Sequence, residues 1–355
     1  FRCETVPGLS VGAEICEDFL NDNGIIGFVA PSFGCNTEPY YTAFKNALLV
    51  LKKKGYQIDL GPNCFEGKGI GISNTPRRCG EEFSEYYCSD ENDVLLSCGG
   101  GELMCEILDY VDFEKIKMNR PKWFMGYSDN TNLTFLLTTI CDVASIYGPC
   151  ATTFGMEPWH LAIEDSEKLL RGEKLTVTGY ERWERESKKD EEHPLMPYHV
   201  TEKRILKVFA KEEYVAIKGR LLGGCMDCLR NLIGTRYDYV AEFNRKYHND
   251  GVIWYLESCD LNVMDIRRAL WQMLHAGWFE NAKGFLIGRP YHYGEEVMGL
   301  DQYHAVYDIL HILDVPVVMD VDLGHLPPMM PLINGAYSLV NVRGNDIQIE
   351  MRTDV

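Results

Sequence analysis

The sequence predicts an α/β protein with two domains, the first of which is built on a parallel sheet with helices on its faces. Near the beginning of the chain, an apolar strand, an amphipathic helix and a second strand follow one another. This order is typical of a right-handed crossover between parallel strands. Short apolar strands with an intervening helix return in the second half of the chain. The length of 355 residues suits two cores better than one or three.

The first strand and helix are predicted from short-range patterns. Residues 25–30, with the sequence IIGFVA, form an apolar run bounded by glycine and proline, which is typical of a buried strand. A helix should follow, with Thr37 as its N-cap and Gly55 at its end, because apolar side chains recur at helical spacing between them. Residues 56–60 then predict a second strand.

Three more strands of the first sheet are predicted at residues 93–97, 122–125 and 144–147. The first of these is followed by the glycine run 99–101, and the second continues into the sequence GYS at residues 126–128. In open parallel sheets, ligands gather outside the carboxyl ends of the strands. The loops that follow these two strands are therefore where we expect the chemistry.

The predicted domain limits follow the composition of the chain. An N-terminal domain is expected at residues 1–165, and a charged linker or loop insertion at residues 166–204. Within the linker, residues 181–192 contain ten charged side chains in twelve, which indicates a solvated segment. A second α/β domain is expected at residues 205–355. Its predicted strands lie at 252–256, 284–287 and 315–319, and its predicted helix at 262–275.

Charge and composition exclude several classes of function. The 53 acidic and 35 basic side chains give a formal net charge of -18, so we expect no binding to nucleic acid or to anionic membranes. No apolar run approaches the roughly 18 residues of a membrane span. The acidic residues at positions 14 to 22 argue against a secretory signal. The thirteen cysteines have no framework spacing, so we expect free thiols in a reducing cytoplasm.

A serine lies at a predicted junction of strand, turn and helix. Its sequence, GYSDN, departs from the usual G-x-S-x-G pattern at the last position, where Asn130 replaces glycine. Such an elbow exposes the hydroxyl of Ser128 at the rim of the sheet and directs the backbone amide of Asp129 to the same place. Alternatively, Ser128 or Asp129 only caps the helix that follows.

The glycine run after the neighbouring strand favours the catalytic interpretation. The backbone amide of Gly100 or Gly101 can approach a ligand closely, because glycine has no Cβ. Together with the amide of Asp129, it would complete an oxyanion hole, which needs two donors. A phosphate-binding loop is the competing interpretation. It ranks lower because Glu102 follows the glycines and a Lys-Ser/Thr pair does not.

A serine nucleophile needs a base and an acidic partner, and strand ends in the second domain offer both. Glu257 closes the strand VIWYL, and His325 lies just past the strand VPVVM. The order Ser, Glu, His is that of the α/β-hydrolases. The pair Cys225-x-x-Cys228 suggests a redox or zinc site, but no second close Cys or His pair accompanies it. We therefore expect no metal.

A series of short motifs runs along nearly the whole chain, from about residue 25 to about residue 339. They are GFVAPSFG, LLSCGGG, MGYSDNTNL, YGP, LLGG, WYLESCD, KGFLIGRP and GHLPPMMPLINGA. In this order they resemble the LD-carboxypeptidases and their relatives, the microcin C self-immunity peptidases, and GYSD is the most specific part. The resemblance implies a serine peptidase in which Ser128, Glu257 and His325 form the catalytic triad.

The resemblance also implies a fold, an assembly and a substrate class. It implies a flavodoxin-like or glutamine-amidotransferase-like N-terminal domain with a smaller C-terminal α/β domain, in a homodimer without a cofactor. An LD-carboxypeptidase releases D-alanine from a murein tetrapeptide, whereas the microcin branch cleaves the amide between an acidic amino acid and a nucleotide analogue. The chain departs from the carboxypeptidase pattern at residues 102–105, where it reads ELMC. Recognition of the substrate carboxylate is therefore not carried over from the family.

We expect a small peptide or an aminoacyl-nucleotide as the substrate, with the LD-carboxypeptidase reaction preferred and the microcin type as the alternative. Trp183, in the charged segment, is the candidate substrate-binding residue. The microcin branch resembles this segment in carrying a tryptophan-bearing insertion, and an indole face can stack on a nucleobase. The alternative is that Trp183 packs against its own domain or a dimer partner.

Overall fold

The computed structural model describes residues 19–353 and contains two large sheets with helices on their faces. Residues 1–18, which contribute to the expectation that the chain has no secretory signal, lie outside the described residues, as do residues 354 and 355. Within the described part of the chain, no helix combines the length and the apolar character that crossing a membrane requires.

Strands and α-helices alternate through much of the described chain. The strands are β1 (Ile25–Val29), β2 (Gln57–Leu60), β3 (Val94–Ser97), β4 (Trp123–Gly126), β5 (Ser145–Tyr147), β6 (Thr176–Thr178), β7 (Arg182–Trp183), β8 (Glu202–Lys203), β9 (Lys207–Phe209), β10 (Tyr214–Cys225), β11 (Val252–Glu257), β12 (Ala282–Gly288), β13 (Val317–Val321), β14 (Leu332–Asn334), β15 (Tyr337–Arg343) and β16 (Asp346–Arg352). The α-helices are α1 (Tyr40–Lys53), α2 (Pro76–Tyr87), α3 (Phe113–Met118), α4 (Thr131–Thr139), α5 (Leu161–Leu170), α6 (Met226–Leu232), α7 (Val240–Lys246), α8 (Val263–His275) and α9 (Gln302–Leu310). Short 3-10 helices span Met104–Tyr110, Ser128–Asn130, Ala151–Gly155 and His311–Leu313.

The first sheet has six strands in the order β14-β5-β4-β3-β1-β2. All neighbours are parallel except β14, which pairs antiparallel with β5. The strands predicted at 25–30, 56–60, 93–97, 122–125 and 144–147 are all members of it, so the predicted α/β class is confirmed. Because β3 lies beside β4, the loops that follow these two strands emerge side by side at one edge of the sheet.

The second sheet has eight strands in the order β6-β16-β15-β10-β11-β12-β13-β9. Its centre, from β10 to β13, is parallel, and the outer strands pair antiparallel. The strands predicted at 252–256, 284–287 and 315–319 correspond to β11, β12 and β13. The carboxyl ends of β11 and β13 therefore share one edge of this sheet.

Two strands cross the domain limits that the composition suggests. β6 lies in the expected linker, residues 166–204, but pairs with β16 of the second sheet. β14 lies in the expected second domain, but pairs with β5 of the first sheet. The expected linker therefore contains a regular strand. In β6 the buried Val177 lies between two more exposed residues, and this alternation of burial suits a strand at the edge of a sheet. Residues 184–199 form an irregular loop between β7 and β8.

Helix α1 begins without the predicted cap. Its N-cap residue is Pro39, which has no side-chain cap hydrogen bond, so the prediction of Thr37 as the cap is wrong. Thr37 contributes its backbone carbonyl, which accepts a hydrogen bond from the N–H of Tyr41 at 2.8 Å. The carboxylate of Glu38 is the acceptor at this end of the helix. Thr42 donates to it twice, from its backbone N–H at 3.2 Å and from its side-chain hydroxyl at 2.6 Å.

Aromatic side chains join helix α4 of the first sheet to the second sheet. Phe135 on α4 stacks on Trp278 with ring centroids 5.4 Å apart, and Trp278 stacks on Trp254 of β11 at 5.8 Å. All three rings are buried. Large aromatic rings dominate the energy of a core, so the two sheets share one continuous apolar contact.

We expect Phe135→Ala to lower the free energy of unfolding by about 3–5 kcal/mol, because it leaves a cavity between the two sheets. Urea denaturation of the two proteins measures this difference. Trp271→Ala is the control, since Trp271 on α8 is 55% exposed and its loss should cost no more than about 0.5 kcal/mol. Equal effects of the two substitutions would contradict a shared core.

Candidate active site

Ser128 lies at a tight turn between β4 and α4. Its backbone φ is +64°, in the left-handed region, and the 3-10 turn Ser128–Asn130 leads directly into α4. A non-glycine residue in this region is strained, and such strain clusters at functional sites. Ser128 lines an open cleft here, as the predicted elbow requires.

Asn130, the residue that departs from the usual elbow pattern, ties the turn to the glycine loop. Its side-chain amide donates to the carbonyl of Gly99 at 2.9 Å and to that of Tyr127 at 3.0 Å. Gly126 makes room for it, because a Cβ at this position would lie 2.7 Å from Cγ of Asn130. The two loops at the edge of the first sheet are thus held together.

Asp129 holds the elbow through its side chain. Its buried carboxylate accepts hydrogen bonds from the hydroxyl of Ser32 at 2.6 Å and from the backbone N–H of Met104 at 2.9 Å. Burial raises the pKa of Asp129 to about 6, although the hydrogen bond from Ser32 acts in the opposite direction. No side chain caps α4, so the alternative in which Ser128 or Asp129 serves only as a helix cap is wrong.

The structure brings Ser128, His325 and Glu257 into one hydrogen-bonded chain. Nε2 of His325 lies 2.8 Å from Oγ of Ser128, and Nδ1 of His325 lies 2.8 Å from Oε2 of Glu257. Ser128 follows β4 of the first sheet, whereas Glu257 ends β11 and His325 follows β13 of the second. The three residues selected from the sequence therefore meet between the two sheets. Chemically, this arrangement can remove the proton of a serine hydroxyl.

Tyr147 belongs to the same chain, and the sequence patterns did not predict it. Its hydroxyl donates to Oε1 of Glu257 at 2.5 Å and accepts from the backbone N–H of Ser128 at 3.2 Å. The ring is buried at the end of β5. Its position at the carboxyl end of a predicted strand was the available signal, because ligands gather at that edge.

Burial and charge act in opposite directions on the carboxylate and the imidazole. Burial acts to raise the pKa of Glu257, but the charge of His325 and hydrogen bonds to the carboxylate hold it below its usual value. Burial acts to lower the pKa of His325, but the charge of Glu257 raises it well above its usual value. The pairing thus extends to higher pH the range in which His325 is protonated, and the neutral imidazole that can act as a base forms as the pH rises further.

The glycine loop after β3 lies against Ser128. A Cβ on Gly100 would lie 3.3 Å from Oγ of Ser128, and a Cβ on Gly101 would lie 1.9 Å from Oγ of Ser32. A side chain at position 101 would clash, and one at position 100 would press on Ser128, so glycine suits both positions. The expected oxyanion donors, the amides of Asp129 and of Gly100 or Gly101, therefore stand on neighbouring loops.

Two openings give access to the site. Ser128 and His325 line a cleft of ≈ 470 Å³, together with the glycine loop. A second opening of ≈ 270 Å³ adjoins it and is lined in part by the loop between β7 and β8. The residues common to both openings are Tyr40, Tyr127, Thr152, Thr153 and His325.

Trp183 is not among the described residues that line either opening. Its side chain is 4% exposed and packs edge-to-face on Tyr293, with ring centroids 5.0 Å apart. Its ring lies 4.9 Å from the guanidinium of Arg289, and its Nε1 donates to the carbonyl of Lys203. The β7–β8 ribbon turns the indole inward, away from both openings. These contacts favour the packing alternative for Trp183.

Arg289 supports the loop that carries His325, and the sequence patterns did not predict this role. Its buried guanidinium donates to Oδ1 of Asp322 at 2.7 Å and to the carbonyl of Asp320 at 2.9 Å. A longer bond of 3.4 Å reaches the carbonyl of Leu326. The loop is therefore held on both sides of the imidazole. The only available signal was the stretch KGFLIGRP, which ends one residue after this arginine.

Cys225 and Cys228 lie beside the site. Sγ of Cys228 lies 3.7 Å from the carbonyl of Ser128, and Sγ of Cys225 lies 3.3 Å from the carboxylate of Asp227. Burial raises the pKa of the Cys225 thiol well above its usual value, which disfavours the reactive thiolate. Among residues 19–353, no group of three or more His, Cys, Asp or Glu is arranged to hold a metal ion.

Two family models match the chain. The model for the LD-carboxypeptidase N-terminal domain matches residues 26–148, and the model for the LD-carboxypeptidase C-terminal domain matches residues 218–339. The Microcin C7 self-immunity protein MccF of Escherichia coli is 22% identical over 306 residues, which are 84% of this chain and 85% of that protein. The probable murein peptide carboxypeptidase of Bacillus subtilis is 25% identical over 340 residues, or 93% of each chain.

Solved structures share the fold. MccF in its wild-type apo state aligns with a TM-score of 0.78 at 21% identity, over 94% of this chain and 98% of that one. An MccF-like protein from Bacillus anthracis aligns with a TM-score of 0.79 at 19% identity, over 96% of this chain and 100% of that one. These alignments confirm the predicted two-domain α/β architecture.

We expect His325 of the free protein to titrate above the ordinary histidine pKa of about 6.5. Glu257→Gln should lower this pKa, because it removes the stabilising charge and leaves the opposing effect of burial. NMR titration of the imidazole, assigned with His325→Asn, measures the difference. The exposed His304, which is paired with Asp301, should titrate alike in both proteins. An unchanged pKa of His325 would contradict this electrostatic account.

Proposed function

The chain belongs to the LD-carboxypeptidase family of serine-type carboxypeptidases, and we propose that it hydrolyses an amide bond with Ser128, Glu257 and His325 as its catalytic triad. The observation that carries this proposal is the pair of 2.8 Å hydrogen bonds that link the hydroxyl of Ser128 through His325 to Glu257. A nucleophile, a base and an orienting carboxylate in this order are the requirements of acyl transfer through a serine.

In the proposed reaction, Nε2 of His325 takes the proton of Ser128 as Oγ attacks the substrate carbonyl. Glu257 keeps the imidazole in the required tautomer and stabilises the imidazolium. The imidazolium then gives its proton to the nitrogen of the leaving group, and the C–N bond breaks to leave an acyl-enzyme. A water molecule, deprotonated by His325, hydrolyses the ester and restores Ser128.

We assign the oxyanion hole to the backbone amides of Asp129 and of Gly100 or Gly101. The close approach of Gly100 to Oγ of Ser128 supports this assignment. Two donors on preorganised loops stabilise the charge that develops on the carbonyl oxygen. The bonds from Asn130 and Asp129 to surrounding loops keep these amides in place.

We propose a murein tetrapeptide as the substrate, with D-alanine as the product released. The name of the Bacillus subtilis relative, a probable murein peptide carboxypeptidase, supports this choice. Further relatives named as putative carboxypeptidases occur in Treponema pallidum and Vibrio cholerae. The burial of Trp183 also removes the stacking surface that the alternative substrate would have used.

The alternative is a microcin-type amidase that cleaves an aminoacyl-nucleotide analogue. Its support is the likeness to MccF, which has been solved in complex with aspartyl sulfamoyl adenosine and with glutamyl sulfamoyl guanosine. The same triad serves both proposed reactions, so only the residues that surround it distinguish one substrate from the other.

We further propose that the enzyme acts as a cytoplasmic homodimer and needs no metal or other cofactor. The resemblance of its motifs to the family supports the dimer. The chemistry assigned to the triad requires no metal, and the net charge of -18 supports the absence of nucleic-acid and membrane partners.

We expect Ser128→Ala to reduce turnover by about 10⁶, since it removes the nucleophile of a group of residues that act as a unit. The fold should remain, because the substitution removes one oxygen and no core volume. Release of D-alanine, measured beside circular dichroism, tests both statements. Near-normal turnover in a folded variant would show that the nucleophile is a different residue.

We expect the wild-type protein to release D-alanine from a murein tetrapeptide with a higher kcat/KM than it shows for aspartyl sulfamoyl adenosine. The two substrates are assayed side by side with the same preparation, and Ser128→Ala serves as the blank for each. Preference for the nucleotide analogue would replace the murein proposal by the microcin alternative. Hydrolysis of neither substrate would contradict both.

A further inference from the structure

The two openings of the site differ in charge. The acidic wing is the opening of ≈ 470 Å³ that contains Glu66 and Glu102. The lysine wing is the opening of ≈ 270 Å³ that contains Lys189. Both reach His325, so a substrate bound across the site can place one end in each wing.

The acidic wing does not suit a substrate carboxylate. The described residues that line it include Glu66 and Glu102 but no lysine or arginine, and only Glu66 is paired with a lysine, Lys68, at 2.8 Å. Burial and the nearby charges of Asp260 and Asp227 raise the pKa of Glu102, so the surroundings at this end disfavour a negative charge. A further carboxylate placed here would be repelled.

The lysine wing contains an ammonium group without a carboxylate partner. Lys189 is half-buried in the loop between β7 and β8, and its Nζ lies 5.8 Å from the ring centroid of Tyr40. It forms no ion pair with an Asp or Glu of residues 19–353. Burial lowers the pKa of Lys189, so an incoming anion would restore the interaction that the ammonium loses by leaving water.

Glu184 also lines the lysine wing, but its carboxylate is engaged by its own loop. It accepts a hydrogen bond from the backbone N–H of His199. Burial raises the pKa of Glu184, which disfavours its charged form. Lys189 therefore supplies the charge that an anionic group entering this wing would meet.

We propose that Lys189 binds the terminal carboxylate of the amino acid that the enzyme releases. The inference rests on the proposed function, in which His325 returns a proton to the leaving nitrogen. The leaving group must then lie next to the imidazole, and Gly324 and His325 both line the lysine wing. The acyl part extends into the acidic wing, beside the glycine loop. Lys189 thus makes the hydrolase a carboxypeptidase, because a charge-assisted hydrogen bond selects a free chain end.

The test compares two substrates that differ only in charge at the chain end. One is a murein tetrapeptide that ends in D-alanine, and the other is the same peptide ending in D-alaninamide. We expect Lys189→Met to reduce the ratio of kcat/KM for carboxylate over carboxamide by about 10-fold to 100-fold, mainly through KM. Lys189→Arg should keep part of the preference, because it retains the charge.

Lys188→Met is the matched control, since Lys188 is the exposed neighbour in the same loop and does not line either opening. Its substrate ratio should equal that of the wild type. Because each variant is compared on two substrates, partial unfolding lowers both rates and leaves the ratio unchanged. A wild-type ratio in Lys189→Met, or an equal change in Lys188→Met, would overturn the role of Lys189. If the wild-type protein hydrolyses neither peptide, the proposed function fails as well.

Discussion

The hydrogen bond between His325 and the buried carboxylate of Glu257 is the interaction on which the rest of the site depends. A carboxylate with 0% exposure is costly unless it is paired and hydrogen-bonded, and Glu257 has the imidazole on one oxygen and the hydroxyl of Tyr147 on the other. Tyr147 belongs to the first sheet and Glu257 to the second, so this pair exists only where the two sheets meet. The same contact positions Ser128, whose backbone N–H donates to the hydroxyl of Tyr147.

Buried polar contacts hold each loop that contributes to this pair. Asp129 fixes the serine turn to the loops after β1 and β3. Arg289 fixes the histidine loop through Asp322, and the ring of Trp183 lies 4.9 Å from the same guanidinium. A buried polar network of this kind loses more when one member is removed than a sum of single bonds suggests. The site is therefore preorganised by side-chain contacts that lie outside the triad.

Local sequence patterns shortlist Ser128, Glu257 and His325, because each lies at or just past the end of a short apolar strand, and the family resemblance then selects these three. Local patterns were insufficient for contacts between distant segments. Tyr147 binds Glu257, which lies 110 residues away in the chain. Likewise, β6 joins the second sheet and β14 joins the first through strand pairing that no local pattern encodes. The charged neighbours of Trp183 indicate a solvated segment, but they do not show which way its side chain faces, because the pairing of β7 with β8 decides that.

The central claim is that Ser128 is a nucleophile activated by His325, and labelling with a fluorophosphonate tests it most directly. Such a reagent phosphonylates an activated serine with loss of fluoride, because the attacking hydroxyl gives its proton to the neighbouring base. We predict that peptide mapping of the labelled wild-type protein places the phosphonyl group on Ser128, and that His325→Ala abolishes the reaction. Labelling of another residue of the cleft, such as Cys259, or undiminished labelling without the imidazole, would contradict the account.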